Sequence, residues 1–95
     1  MGPRFERDHT KSVKNQRKHG VTFFEAQLAF LDLHRVIARD IAHSGIEERF
    51  YCFGRIENAI LTVRFTYRGG VIRIIGAGYW RRGRKYYEAQ QKIHE

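Results

Sequence analysis

At 95 residues and 42% hydrophobic side chains, the chain is sized for a single folded domain over residues 1–95, which excludes a disordered segment or a two-domain protein. Its 18 Lys and Arg against 10 Asp and Glu leave a net charge of +8, which favours a polyanionic partner: nucleic acid, an acidic protein or an anionic surface. The lone cysteine, Cys52, excludes an internal disulfide and a thiolate metal cluster.

Phe5-Glu6-Arg7-Asp8 reads as a short first strand. Asp8 or Thr10 then caps a helix that runs to about Lys18 and stops at Gly20. Thr22-Phe23-Phe24-Glu25 is a capping box, and Phe24, Leu28 and Leu31 keep helical spacing on one face of a second helix to about Leu33. From there the period turns to two, and Arg35–Arg39, Arg49–Gly54, Ile60–Tyr67 and Val71–Ala77 read as strands. His43-Ser44-Gly45 marks a loop between the first two of these. In the third, Leu61, Val63, Phe65 and Tyr67 point one way, while Thr62, Arg64, Thr66 and Arg68 point the other. Gly69-Gly70 joins it to the next strand as a hairpin. A last helix starts near Arg82 with Tyr86, Ala89 and Ile93 on one stripe. The expected fold is α+β: a four- to five-stranded antiparallel sheet, two N-terminal helices and one C-terminal helix. Helices cover one face and arginines line the other.

Cys52 sits in the apolar run Phe50–Phe53, where it reads as a small buried hydrophobe. No apolar run approaches the ~20 residues that cross a bilayer, and no signal region opens the chain, so a cytoplasmic location is expected. Met1-Gly2 is followed by Glu6 where a myristoylation motif needs Ser or Thr.

Charge is spread unevenly. No acid lies between Glu57 and Glu88, yet Arg64, Arg68, Arg73, Arg81, Arg82, Arg84 and Lys85 all do. A second basic cluster holds Lys11, Lys14, Arg17 and Lys18. Arg64 and Arg73 fall on adjacent strands and are candidate phosphate ligands, or a solvated pair. Arg68 at the hairpin is either a phosphate contact or a solvated turn residue. Tyr79 and Trp80 either stack on bases or complete the core where the sheet meets the last helix. Arg81, Arg82, Arg84 and Lys85 occupy different helix faces, so they serve different contacts. His19 is a candidate general base, or a cation at a helix C-terminus. Glu47 and Glu48 are either acid-base groups or, as the loop favours, solvated acids. His9, His34, His43 and His94 share no metal-ligand spacing with one another or with Cys52, so neither a metal nor a cofactor is expected. Gly76-Ala77-Gly78 lacks the pattern of a phosphate loop.

Several segments resemble the BrnT toxins. They are Phe5-Glu6-x-Asp8, Lys11-x-x-x-Asn15-x-x-Lys18-His19-Gly20-Val21, Phe24-Glu25-Ala26, Glu48-Arg49-Phe50 with Gly54, Phe65-Thr66-x-Arg68-Gly69, Ile72-Arg73-Ile74-Ile75-x-Ala77 and Tyr87-Glu88. The resemblance implies a RelE-like fold and a metal-independent endoribonuclease that arrests translation. It also implies a BrnA-type antitoxin as partner, in a heterotetramer that binds its own promoter through the antitoxin. On this reading Arg73, Arg64, His19 and Arg82 are the catalytic candidates, and Lys18, Arg68, Tyr79, Trp80, Arg81, Arg84 and Lys85 hold RNA. Many relatives read Ser-Ala-Arg where this chain has Gly76-Ala77-Gly78, so either the cationic role at position 78 passes to Arg81 or Arg82, or this branch has a different activity. The common Glu-Arg start of the last helix is also altered, to Gly83-Arg84. The alternative is a non-catalytic, basic nucleic-acid-binding or partner-docking protein.

Overall fold

The computed structural model describes residues 3–93; Met1, Gly2, His94 and Glu95 lie outside them. Helix α1 spans His9–His19 after a two-residue strand β1, Phe5–Glu6. The Asp8 carboxylate accepts from the Lys11 N–H at 3.0 Å, and Gly20 closes the helix at φ +74° with its N–H on the Gln16 carbonyl. Helix α2, Phe23–Gln27, is capped by the Thr22 hydroxyl on the Glu25 N–H and tightens at once into a 3-10 turn, Leu28–Leu31. The change of pitch moves the buried face. Phe23, Ala26, Ala29 and Phe30 are buried, whereas Phe24 and Leu31 are each 67% exposed. The expected stripe of Phe24, Leu28 and Leu31 therefore faces solvent, and the second helix ends short of Leu33.

Strands β2 (Val36–Arg39), β3 (Arg49–Ile56), β4 (Ala59–Arg68) and β5 (Val71–Gly78) follow, with a 3-10 turn at Ile41–His43 between β2 and β3. The sheet order is β1-β5-β4-β3-β2. Strands β2 to β5 form the expected antiparallel meander, and β1 adds to β5 in parallel, so the five-stranded sheet is mixed. The β4–β5 hairpin turns on Gly69 and Gly70 at φ +56° and +77°, the positive values a type I′ turn requires. Beyond β1, the outer edge of β5 is completed by a side chain. Asn15 donates from Nδ2 to the carbonyls of Ala77 (2.9 Å) and Val21 (2.8 Å), and its Oδ1 accepts from the Ala77 N–H (3.2 Å). Those buried backbone groups would otherwise lack partners.

Helices cover both sheet faces, not one. On the first, Cys52, Leu61, Val63, Phe65, Ile72 and Ile74 pack against Val21, Phe23, Ala26, Ala29 and Phe30. On the second, Phe53 and Ile60 pack against Tyr87 of helix α3, Arg81–Ile93. Thr62 and Thr66, expected among solvated arginines, are buried on that second face, and Tyr67, expected in the core, is exposed at the strand end. The stripe Tyr86, Ala89 and Ile93 is exposed; α3 buries Gly83 and Tyr87 instead. Small residues set both contacts. A Cβ on Gly54 would run into the Ala29 backbone, and one on Gly83 into Thr62 Oγ1 and the Phe53 ring. No helix among the described residues is long and apolar enough to cross a membrane.

Asp32 ties the three layers together. Its Oδ1 accepts from the His34 N–H (2.9 Å), and its Oδ2 from the Arg55 N–H and the Tyr87 hydroxyl (each 2.7 Å). Burial pushes its carboxyl up, but these donors and the nearby His34 outweigh it, leaving the group below its ordinary 3.8. The same contact and burial push the Tyr87 phenol up.

Two stability changes follow. Thr62 is β-branched and held in a central strand, so it cannot yield to a new methyl group; Gly83→Ala is expected to lower unfolding free energy by about 1–3 kcal/mol despite better helix propensity. Thr62→Ala in the same chain should restore part of that loss in denaturant titrations. Asp32 has a lowered folded value, so its stabilisation is complete above the ordinary carboxylate range and is lost as pH falls through the folded value. An amide has one oxygen where Asp32 uses two, so Asp32→Asn should cost about 1–2 kcal/mol at neutral pH and flatten the acid limb of the stability curve.

Candidate functional site

Where α3 leaves the second sheet face, a cavity of about 530 Å³ opens between β2, β3 and the start of the helix. Arg39, Tyr51, Thr62, Trp80, Arg82 and Tyr86 are among its walls. Tyr51 and Arg64 are cross-strand partners, and Arg64 in turn pairs with Gly76. With no side chain there, the Arg64 guanidinium lies across β5: a Cβ on Gly76 would stand 3.5 Å from its Nη2. Burial raises the Tyr51 phenol above its ordinary 10.0, the Asp40 carboxylate raises it further, and the charges of Arg64 and Arg82 pull it back. One phenol thus feels a buried carboxylate and two guanidinium groups.

Asp40 is held from several sides. Its carboxylate oxygens lie 3.0 and 3.1 Å from His43 Nδ1. A carboxylate only accepts, so that nitrogen carries the proton. The Asp40 N–H donates to the Arg49 carbonyl (2.7 Å), and the Ser44 hydroxyl donates to the Asp40 carbonyl (2.6 Å) while accepting from the Arg49 N–H (2.9 Å). The loop expected at His43-Ser44-Gly45 is therefore a tight bracket behind Tyr51.

Trp80 sits at the turn into α3, 38% exposed. Its indole lies over Gly78, so close that a Cβ there would stand 2.6 Å from the ring. The His19 ring meets it edge to face at 5.1 Å between centroids. On the other side of Trp80 is a second cavity, of about 520 Å³, whose walls include Ile60, Tyr79, Arg81, Arg84 and Lys85.

The expected site residues separate into groups. Arg82 and Trp80 wall the first cavity; Arg64 is the cross-strand neighbour of Tyr51, but its guanidinium lies over Gly76 and is not among the walls. Arg81, Arg84 and Lys85 take the second cavity with Trp80. Arg73 shares a sheet face with Arg64, since it pairs with Thr66, but its Nε lies 3.9 Å from Glu6 Oε2 and it does not wall the first cavity. Arg68 pairs with Glu47 at 3.4 Å beside the hairpin, and Arg39 with Glu48 at 3.6 Å, so both loop acids hold partners. Tyr79 donates its hydroxyl to Glu25 at 2.8 Å; burial and that carboxylate push its phenol to about 12. Lys18 is exposed in the last turn of α1. Burial pushes the Cys52 thiol to about 12, which leaves it an inert core side chain.

Sequence reasoning missed Tyr51, Asp40 and His43. Tyr51 hides inside an apolar run, and only its alternation with Cys52 sets it on the opposite face. A buried Asp40 leaves no trace in local pattern.

No curated protein matches the chain. A family profile described as ribonuclease toxin, BrnT, of type II toxin-antitoxin system matches residues 8–83, a span that holds α1, the whole β2–β5 meander, Gly83 and the walls of the Tyr51 cavity other than Tyr86. The chain belongs to the BrnT family of ribonuclease toxins of type II toxin-antitoxin systems.

Proposed function

We propose that the protein cuts RNA without a metal ion, in the cavity between β2, β3 and α3, and so arrests translation in the cytoplasm. The observation that carries this reading is that Arg82 and Tyr51 wall one cavity while Arg64 is the cross-strand neighbour of Tyr51 on the same sheet face. A ribose 2′-hydroxyl attacks the adjacent phosphorus, a 2′,3′-cyclic phosphate forms, and the P–O5′ bond breaks. Arg82 and Arg64 hold the phosphoryl oxygens and stabilise the charge that develops there. Tyr51, kept neutral by its raised value, protonates the departing 5′-oxygen. His19 takes the 2′-hydroxyl proton: its ring has no hydrogen bond among the described residues and stands against Trp80, which walls the cavity, though His19 is not itself a wall. Arg73, Lys18 and Arg68 add positive potential for flanking phosphates. A BrnA-type antitoxin is the proposed partner, joined in a heterotetramer that binds its own promoter through the antitoxin.

A second reading, a binding module without catalysis, draws support from Gly78. The position where an arginine was expected carries no side chain, and the Trp80 indole occupies its place.

Protein freed of any partner should cleave RNA in EDTA. Arg82→Ala should slow single-turnover cleavage by about 10²–10³, and Arg73→Ala by less, because Glu6 already pairs with Arg73. RNA that stays intact while binding with a steep salt dependence would establish the binding-module reading instead. A general acid works only while protonated, so the raised Tyr51 value extends activity upward: its alkaline limb should lie above pH 10.0. Tyr51→Phe should remove that limb and lower the rate by about 10²–10⁴.

A further inference from the structure

We infer that the second cavity, beyond Trp80, is a nucleotide subsite that seats the residue of single-stranded RNA flanking the cleaved bond. This rests on the cleavage centre proposed above and adds the path of the strand leaving it. Trp80 is the wall common to both cavities, so a strand crossing from one to the other passes over its indole. That indole is seated on Gly78 and met by the His19 ring at 5.1 Å. A base stacked on it faces Ile60 and the Tyr79 ring, whose hydroxyl is already engaged by Glu25 at 2.8 Å. The phosphate then falls to Arg81 and Lys85, while Arg84 pairs with Glu88, the acid on this wall, at 3.5 Å. A cavity of about 520 Å³ lies within the usual range for small-ligand pockets. Stacking accepts any base, so this subsite supplies affinity with little sequence preference.

Trp80 is the sole tryptophan of the chain, so its emission reports this subsite directly. The probe is a short 2′-O-methyl oligoribonucleotide, which has no 2′-hydroxyl nucleophile and cannot be cut by the proposed route. Titration should quench Trp80 emission saturably, with affinity falling as salt rises. An abasic strand of equal charge should bind more weakly and leave emission unchanged. Trp80→Ala should weaken oligonucleotide binding by about 5- to 150-fold, and Arg84→Glu with Lys85→Glu should weaken the quench in a chain that keeps its tryptophan. Binding seen by fluorescence anisotropy of a labelled strand with no change in Trp80 emission overturns the subsite, even if RNA is cleaved. Emission that responds to a poly-glutamate peptide and not to the oligonucleotide overturns it in favour of a protein dock. Quenching without cleavage of natural RNA upholds the subsite and removes only the catalytic reading.

Discussion

The architecture depends on two places where backbone meets sheet with no side chain between. On one face Gly54 admits the Ala29 backbone, and on the other Gly83 sets α3 against Thr62 and Phe53. Large apolar side chains fill the core around these points, but the glycines set how near the layers lie. Close packing makes such contacts intolerant of even one added methyl group. Asp32 then fixes α3 along the sheet by holding Tyr87, and the Arg55 side chain lies over the Tyr87 ring at 5.7 Å. Helix height comes from glycine, and helix position from a carboxylate.

Once α3 is seated, its own period does the sorting. Arg82 and Tyr86 are four residues apart and share a side, while Arg81, Arg84 and Lys85 share another. A single basic run is thereby divided between two cavities, with Trp80 at the division. The field in the first cavity needs no long-range charge pairing. It comes from Arg64 lying across bare Gly76, Arg82 at the helix start and the Asp40 carboxylate behind Tyr51.

Much of the fold was legible in the sequence because its signals are local. The Asp8 and Thr22 caps, the Gly20 stop, the two-residue alternation of β4 and the Gly69-Gly70 turn all act within a few residues, and all stand as read. Which helix face turns inward was not legible, because Ala26, Ala29 and Gly83 pack by being small, and apolar periodicity weighs the large residues Phe24, Leu31 and Tyr86 instead. Of the site, the arginines were visible as charge without neighbours of opposite sign. Their separation into two cavities depends on the pose of α3. Tyr51 and Asp40 gain their setting from residues far along the chain, such as Arg82, and local pattern carries no trace of that. The parallel pairing of β1 with β5 is equally non-local, and its Asn15 extension more so: one amide substitutes for a strand segment across 62 positions of sequence.

The contact between Trp80 and Gly78 also constrains how this chain can change. Residues 78 and 80 compete for a single volume, so a side chain at 78 and the seated indole are mutually exclusive. Placing arginine at 78 alone would displace the indole from its seat. Position 78 stays bare for as long as the tryptophan keeps this seat, so a substitution at either position is felt at the other.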